Sequence, residues 1–256
     1  MVTSSSENNS RSDAPFGENA HAQATPEGRS SCPPIDPDSL RYFLASRRSM
    51  RRFLTDDISG EIVSGLIDTA RHTPSGGNRR AHELTLMPRG ATRDDLLVEL
   101  SRIYAKRSAL LNSPVAKFLV RPFVDPYVRA FFDDPEYGGR IRELLAKLGR
   151  GEDPIFYKAP LVVFFHSKVL IPTPKEDCIL AAHAMALAAH AAGLGSCLVT
   201  LAQSAVNSSR ACKTTLGLTA NDQVHAVLLL GQIEERNHEP AHRPPLVVHA
   251  TSSRSV

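Results

Sequence analysis

The sequence lacks several features that would define its class at once. It has no tryptophan, only 6 % aromatic residues, and no apolar run near the roughly 20 residues that a membrane-spanning helix requires. It contains no GxxxxGK[ST] phosphate loop, no GxSxG nucleophile elbow and no HExxH zinc motif. These absences argue against a helical membrane protein, a P-loop nucleotidase, an α/β-hydrolase and a zincin. The ten histidines fit no catalytic pattern.

Cysteine is also scarce, and its spacing fits no metal module. There are four cysteines and no CxxC pair. Cys178 precedes His183 and His190, but these spacings do not converge well on a metal ion. We predict no metal site and expect reduced thiols in a cytoplasmic protein.

Charge is distributed unevenly along the chain. Residues 1–38 hold two arginines and six acids, a net charge of −4, whereas the remaining 218 residues hold 28 basic and 21 acidic residues, a net charge of +7. The first segment is polar, has few large apolar residues and resembles no secretory signal. We predict a flexible extension over 1–38 and a folded domain over 39–256. The alternative is an arm that wraps a partner subunit.

Hydrophobic periodicity predicts helices and strands that alternate without a βαβ repeat. The expected helices lie near 39–52, 62–70, 92–111, 126–132, 138–148, 174–192 and 208–216, and the expected strands near 84–87, 161–166, 196–201, 224–231 and 246–249. Thr173, Pro174 and Glu176 predict a capping box at one helix start. The pattern indicates an α+β sandwich around one central sheet.

An arginine cluster stands at the start of the predicted domain. Residues 39–52 contain five arginines and no acid. They could form a solvated helix face, a nucleic-acid patch or a site for one phosphate. Arg47, Ser49 and Arg51 alternate, so in extended chain they would point one way, and two guanidiniums with a hydroxyl suit a phosphate monoester.

Two glycine-containing segments also have alternative interpretations. The loop 75–78, Ser-Gly-Gly-Asn, could be a simple connector, or a set of backbone and amide donors for a planar heterocycle. Gly193-Leu194-Gly195 does not match the dinucleotide-binding fingerprint, because it follows a helix and precedes a strand. It is interpreted as a helix end followed by a tight turn.

Several of these segments together resemble the nitroreductase family of flavoproteins. Segment 47–53, RRSMRRF, resembles the family's RRSxRxF opening. Further similar segments follow in the expected order: ARHTPSGGN at 70–78, DPIFYKAP at 153–160, AGLGSC at 192–197, LG at 230–231 and RPPL at 243–246.

The resemblance implies an α+β homodimer of the domain-swapped type, with FMN at the subunit interface. It implies electron transfer from NADH or NADPH through flavin N5 to a nitroaromatic, quinone or similar acceptor, by a ping-pong scheme that needs no catalytic side chain. The implied phosphate ligands are Arg47, Ser49, Arg51 and Arg243. Ser75 and Asn78 would approach the flavin from the other subunit, and Leu198, Val199 and Thr200 would lay backbone against the N5 edge.

The sequence departs from the family pattern at two places. Arg79-Arg80-Ala81-His82 replace a common Gln and Pro-Trp, and Leu198 replaces a common Trp. The added cations could favour an anionic acceptor or an anionic reduced flavin, or could accompany altered or lost activity. The irregular segment 112–158 is expected to cap the flavin and to set acceptor choice.

Alternative functions stay open at this point. Within the family they are a flavin-dependent dehalogenase and a flavin-cleaving enzyme. Outside it they are a non-catalytic flavin- or nucleotide-binding protein and a basic nucleic-acid module. We expect a small-molecule acceptor as the partner, with no nucleic acid and no membrane.

Overall fold

The computed structural model describes residues 35–113, 115, 118–119, 134–170, 172–234, 239–240 and 242–249. The chain divides into two units, Met1–Asp36 and Pro37–Val256, and the elements below belong to the second. None of the helices in the described ranges is both long and apolar enough to cross a membrane.

Helices and strands alternate over the described residues. The helices are α1 (Pro37–Ser46), α2 (Gly60–Arg71), α3 (Ala91–Asn112), α4 (Pro135–Gly149), α5 (Pro174–Ala191), α6 (Thr200–Ser208) and α7 (Arg210–Thr215). The strands are β1 (Glu83–Pro88), β2 (Leu161–Lys168), β3 (Gly195–Leu198) and β4 (Asp222–Gly231). A short 3₁₀ turn covers Gly76–Asn78.

The four strands form one antiparallel sheet in the order β1-β2-β4-β3. Helices cover both of its faces, so the predicted α+β class with a central sheet is confirmed. Because β2 and β4 are covered on both sides, they can be apolar along nearly their whole length. This explains the continuous apolar runs that marked both strands in the sequence.

Side chains of β2 point alternately to two hydrophobic layers. Val162 and Phe164 pack in one cluster with residues of α3 and α4, among them Leu96, Leu100 and Ile141. Val163 and Phe165 pack on the other face with α2 and α5. The alternation follows from the two-residue period of a strand. α5 is therefore the central helix of one layer, and it ends beside the start of β3.

Several boundaries differ from the sequence prediction because tertiary contacts override local pattern. The predicted helix 39–52 ends at Ser46, whose Oγ bonds to Phe43 O and to His190 Nε2, both at 2.9 Å. The predicted strand 196–201 ends at Leu198, and Thr200 starts α6. Residues 246–249 form no strand within the described structure. The candidate helix 126–132 lies outside the described residues.

The capping box predicted at Thr173 is wrong, although α5 starts where expected. Thr173 has left-handed backbone, with φ 56°, and its side chain makes no cap hydrogen bond. Its Oγ1 instead donates to Pro172 O at 2.8 Å and to Asp177 Oδ1 at 3.4 Å. Thr173 lies close against the loop at Gly76, where a Cβ would be 1.9 Å from Thr173 Oγ1.

Candidate functional site

The arginine-rich segment after α1 is extended rather than helical. Ser49 forms a parallel bridge with Ser196 of β3, and Met50 N donates to Ser196 O at 2.9 Å. Alternate side chains of extended chain point the same way. Arg47, Ser49 and Arg51 therefore share one side of the segment.

These three side chains all act on the thiol of Cys197 in β3. Burial raises the pKa of the Cys197 thiol, while the charges of Arg51 and Arg47 and hydrogen bonds with Ser49 and Arg51 oppose that rise. Cys197 is buried, Arg47 is half-buried, and Ser49 and Arg51 are exposed. Two guanidiniums and a hydroxyl thus gather at the surface beside a buried thiol. This set of donors suits a phosphate group.

Two glycines let the arginine segment lie against the sheet. A Cβ on Gly195 would come within 2.4 Å of Ile233 Cγ2 and 3.0 Å of Met50 Cβ. A Cβ on Gly231, the residue that pairs with Gly195, would come within 2.4 Å of Pro160 Cδ and 2.8 Å of Phe53 Cδ1. Both distances of 2.4 Å are shorter than real Cβ contacts. The glycines therefore create the space that the segment occupies.

Asp153 organises a second wall of this site, which the sequence analysis did not identify. Its Oδ1 accepts from Ile155 N at 3.2 Å and Phe156 N at 2.7 Å, and its Oδ2 accepts from Lys158 N at 3.0 Å. The turn holds Tyr157 with its ring centroid 5.9 Å from Arg51 Cζ, a cation–π distance. An aspartate two or three residues before buried amides was the available sequence signal.

Arg89 joins the arginine segment to the Asp153 turn, and its role was also missed. Its Nη2 donates to Leu54 O at 2.8 Å and to Lys158 O at 2.9 Å. Nη1 donates to Thr55 O as well. One guanidinium therefore fixes the end of the segment against the turn. Nothing in the local sequence distinguishes Arg89 from an exposed arginine.

The residues 198–200 carry the chain from β3 into α6, next to Cys197. Val199 N donates to Val227 O at 2.9 Å, and the side chain of Leu198 is 45 % exposed. The first backbone N–H groups of a helix have no partner inside the helix. The start of α6 at Thr200 thus offers backbone donors beside Arg47, Ser49 and Arg51.

The loop 75–78 is closed by the residue that follows Arg79. Asn78 N donates to Ser75 O at 2.9 Å, and Arg80 N donates to Ser75 Oγ at 2.9 Å. Asn78 Oδ1 accepts from Arg80 Nε at 3.2 Å. As far as the described residues go, the Ser75 hydroxyl proton and the Asn78 Nδ2 remain as donors for a ligand.

A buried carboxylate supports this loop from behind. Gly76 N donates to Asp177 Oδ1 at 3.0 Å, and Asp177 lies in the first turn of α5. Asp177 is 3 % exposed, and its Oδ2 has no hydrogen-bond partner among the described residues. The loop is therefore fixed to the N-terminal end of α5.

The structure brings the predicted site residues into two groups at opposite ends of α5. The arginine segment begins next to Ser46, which bonds to His190 in the last turn of α5. The loop bonds to Asp177 in the first turn. Asp177 and His190 are 13 positions apart, which at 1.5 Å per residue is about 20 Å along the helix axis. In one chain the two groups are thus separate.

The role of Arg243 as a phosphate ligand stays a prediction. Residues 242–249 are irregular and exposed, and Leu246, Val247 and Val248 have exposed fractions of 89 %, 84 % and 83 %. Within the described ranges, Arg243 makes no hydrogen bond or ion pair with Arg47, Ser49 or Arg51.

A family model identifies the class of protein to which this chain belongs. The model of the nitroreductase family matches residues 44–232, and the chain belongs to that family. The matched range contains the arginine segment, the loop 75–78 and the start of α6. No curated protein matches the chain.

Solved structures share the fold at low sequence identity. A nitroreductase with bound FMN from Desulfitobacterium hafniense aligns with 20 % identity and a TM-score of 0.61, covering 85 % of this chain and 100 % of its own. The FMN-dependent nitroreductase NfnB from Mycobacterium smegmatis, in complex with NADPH, aligns with 20 % identity and a TM-score of 0.53, covering 76 % and 87 %. Oxidised iodotyrosine deiodinase, bound to FMN and 3-iodo-L-tyrosine, aligns with 15 % identity and a TM-score of 0.55, covering 83 % and 99 %.

Proposed function

We propose that the protein is an FMN-dependent oxidoreductase that passes electrons from NADH or NADPH to a small organic acceptor by a ping-pong scheme. The observation that carries this proposal is the bridge between Ser49 and Ser196, which brings the segment of Arg47, Ser49 and Arg51 alongside Cys197, directly before the backbone of 198–200. Family membership and the FMN-bound structures of the same fold support it.

The residues of the site fit FMN by the chemistry of their donors. The guanidiniums of Arg47 and Arg51 and the hydroxyl of Ser49 would hold the phosphate, because charged, directional donors suit a phosphate monoester. Arg243 would join them as a further phosphate ligand. The backbone of Leu198, Val199 and Thr200 would lie at the N5 edge of the ring.

Bound FMN would supply the hydride chemistry, accepting two electrons from the nicotinamide at N5 and giving them to the acceptor. The chain's own task is to bind and orient. Ser75 and Asn78 would donate to polar atoms of the ring, and segment 112–158 would cap the site and set acceptor choice. Within that segment α4 packs in the core through Ile141 and Leu144, so the covering part would lie outside α4.

The separation of the two groups along α5 supports a homodimer. One chain would provide the phosphate-binding residues Arg47, Ser49 and Arg51 of a site. Its partner would provide the loop 75–78, as a two-fold axis permits. Exposed apolar side chains are present on α5, where Ile179 is 40 % and Leu180 is 45 % exposed. The exposed segment 246–248 would find a place on the second subunit. Contiguous exposed apolar surface is typical of subunit interfaces.

The proposal is tested by flavin retention and anaerobic reduction. The purified protein is incubated with FMN, freed of unbound flavin, and mixed with NADH or NADPH without oxygen. We expect a yellow protein that bleaches with at least one donor and regains its colour with a nitroaromatic or quinone. A halogenated phenol in the same panel tests the dehalogenase alternative. A protein that takes up no FMN would overturn the proposal.

A matched pair of variants tests whether the arginine segment binds the phosphate of FMN. Arg47→Ala should weaken FMN binding roughly tenfold, since a hydrogen bond to a charged group contributes about 1.5 kcal/mol. Arg48→Ala is the control, because Arg48 alternates with Arg47 and Ser49 along the same segment and is not among the groups that act on Cys197. Equal effects of the two variants would show that net charge, rather than this geometry, retains the flavin.

A further inference from the structure

Two arginines follow the loop 75–78 directly, and both guanidiniums lie back on it. Arg80 bonds through its backbone N to Ser75 Oγ and through Nε to Asn78 Oδ1. Arg79 covers Gly77, where a Cβ would lie 3.2 Å from Arg79 Nη1. The loop therefore carries two cations that lie against it, and one of them, Arg80, is held by hydrogen bonds.

The backbone of the loop keeps these arginines in place. Gly77, Asn78 and Arg80 all have left-handed backbone, with φ values of 60°, 54° and 49°. Residues with a Cβ seldom adopt this conformation without compensation. The bonds from Arg80 to Ser75 and Asn78 provide it. An arginine held in this way loses less side-chain entropy when it binds an anion than one that is free in solvent.

The charge of the pair is not neutralised on its outer side. Among the described residues, neither Arg79 nor Arg80 forms an ion pair with a carboxylate. The acid joined to the loop is Asp177, which is buried behind it and accepts from Gly76 N. Both arginines are exposed. The outward face of the loop is therefore a small positive surface.

We propose that Arg79 and Arg80 bind the anionic group, a carboxylate or a phosphate, of the small molecule that reacts at the flavin. This inference rests on the proposed function, because it assumes that the loop borders the flavin. Guanidinium forks bind carboxylate and phosphate through paired hydrogen bonds. In a ping-pong scheme donor and acceptor use the same site in turn, so the anion is either a carboxylate on the acceptor or the additional phosphate of NADPH.

Calorimetric titration with matched ligands tests the proposal and separates these two sources. The acceptor pair is para-nitrobenzoate and para-nitrobenzamide, which differ in charge but share a ring. The donor pair is NADPH and NADH, titrated without oxygen. The first additions reduce the flavin completely. The affinities of NADPH and NADH for the reduced protein are then measured with the reduced nicotinamide in excess. The variants are Arg79→Gln, Arg80→Gln and Arg80→Lys. Arg210→Gln, an exposed arginine at the start of α7, is the control for net charge.

We expect Arg79→Gln and Arg80→Gln each to lower the affinity ratio of charged to uncharged ligand about fivefold, the upper range for exposed ion pairs. Arg80→Lys should recover part of the loss, and Arg210→Gln should leave the ratio unchanged. A drop confined to the nitrobenzoate pair assigns the site to the acceptor, and a drop confined to the NADPH pair assigns it to the donor. Unchanged ratios in both pairs overturn the proposal.

Flavin content, measured by absorbance on the same samples, separates failure of this inference from failure of the proposed function. Unchanged ratios in protein that retains FMN overturn the anion site and leave the oxidoreductase proposal intact. Protein without FMN overturns the oxidoreductase proposal and, with it, this inference, which assumes that the loop borders the flavin.

Discussion

Gly195 of β3 lies directly opposite Gly231 of β4, and neither position has room for a Cβ. The pair stands where the segment from Met50 to Leu54 crosses the end of the sheet. Met50 N donates to Ser196 O and Leu54 N to Gln232 O, both at 2.9 Å. These two bonds place the arginine side chains beside Cys197, so the glycine pair is a condition for the proposed phosphate site.

Gly231→Ala should destabilise the protein and weaken FMN binding together. The new methyl would meet Pro160 Cδ at 2.4 Å, and a proline ring cannot rotate away. Overpacking of this kind costs about 1–3 kcal/mol. Urea unfolding would measure the loss of stability, and FMN titration would measure the effect on the site.

Gly65→Ala is the matched control for this substitution. Gly65 lies in the interior of α2, and a Cβ there meets nothing within 4 Å. Alanine in a helix interior is favoured over glycine by about 1 kcal/mol, so this variant should be more stable and bind FMN normally. Wild-type stability and FMN affinity in Gly231→Ala would contradict the close approach described above.

Asp153→Ala should disturb the site through the turn that holds Tyr157. Three backbone N–H groups would lose their acceptor, and Ile155 and Phe156 are fully buried. Each unsatisfied buried amide costs about 1–3 kcal/mol. Tyr157 and Lys158 also have left-handed backbone, with φ 52° and 53°, which the turn must maintain. We expect a lower urea midpoint and weaker FMN binding.

Two other variants separate a local effect on the flavin site from a general loss of stability. Asp153→Asn keeps Oδ1 as an acceptor and should lose only the bond from Lys158. Ser209→Ala removes the cap of α7, where Ser209 Oγ accepts from Cys212 N at 3.3 Å, and should cost about 1 kcal/mol without weakening FMN binding. If Ser209→Ala weakened FMN binding as much as Asp153→Ala, the role of Asp153 would be general stability alone.

The parts of the fold that were predictable from sequence are those that local patterns determine. Continuous apolar runs predicted β2 and β4, and three-to-four-residue periodicity predicted α2 and α4. The end of α1 was not predictable, because the bond from Ser46 to His190 joins residues 144 positions apart. Asp153 had a local signal, an aspartate two or three residues before buried amides, whereas Arg89 contributes through bonds to distant backbone atoms that no side-chain motif shows.

The arrangement of the candidate site was not predictable from the sequence. Alternation of Arg47, Ser49 and Arg51 indicated a shared side only if the chain was extended, and periodicity favoured a helix there. The bridge between Ser49 and Ser196 of β3 makes this segment extended rather than helical. The bonds of Arg80 to Ser75 and Asn78 depend on left-handed backbone at non-glycine residues, which sequence preference would not suggest.

Acidification should lower the free energy of unfolding in two ranges of pH. Burial lowers the pKa of His166 and of His225 below the usual 6.5; for His166, Glu83 and Asp222 oppose the shift and Lys168 adds to it. Unfolded chain therefore takes up protons below pH 6.5 that folded chain does not, and stability falls as the pH drops.

Asp222 accounts for the second range. Burial raises its pKa, but hydrogen bonds from Lys168 and Thr219 outweigh burial and lower the pKa to about 2 from 3.8. Its contribution is complete above pH 3.8 and is lost as the pH falls towards about 2. Urea midpoints measured over this pH series test both ranges. His166→Gln should reduce the dependence in the upper range, and a midpoint that stays constant there would contradict the prediction.

Ile179→Glu should dissociate the proposed homodimer. Ile179 is 40 % exposed on α5, and a carboxylate buried in an interface without a partner is strongly unfavourable. Sedimentation velocity should show wild-type protein at twice the chain mass of 27.9 kDa and the variant at the chain mass. Val98→Glu, at a 49 % exposed position on α3, is the control and should stay dimeric.

Mixed dimers test whether each flavin site takes residues from two chains. Arg47→Ala and Asn78→Ala should each weaken FMN binding at both sites of their own homodimers. In a mixed dimer of the two variants, one site combines both defects, and the other combines an intact arginine group with an intact loop. Subunit exchange should therefore restore FMN at about half of the sites in mixed dimers, as measured by flavin absorbance per chain. If one chain supplied the whole site, exchange would restore none, and the distance of about 20 Å between the two groups would have to be closed by a rearrangement within the chain.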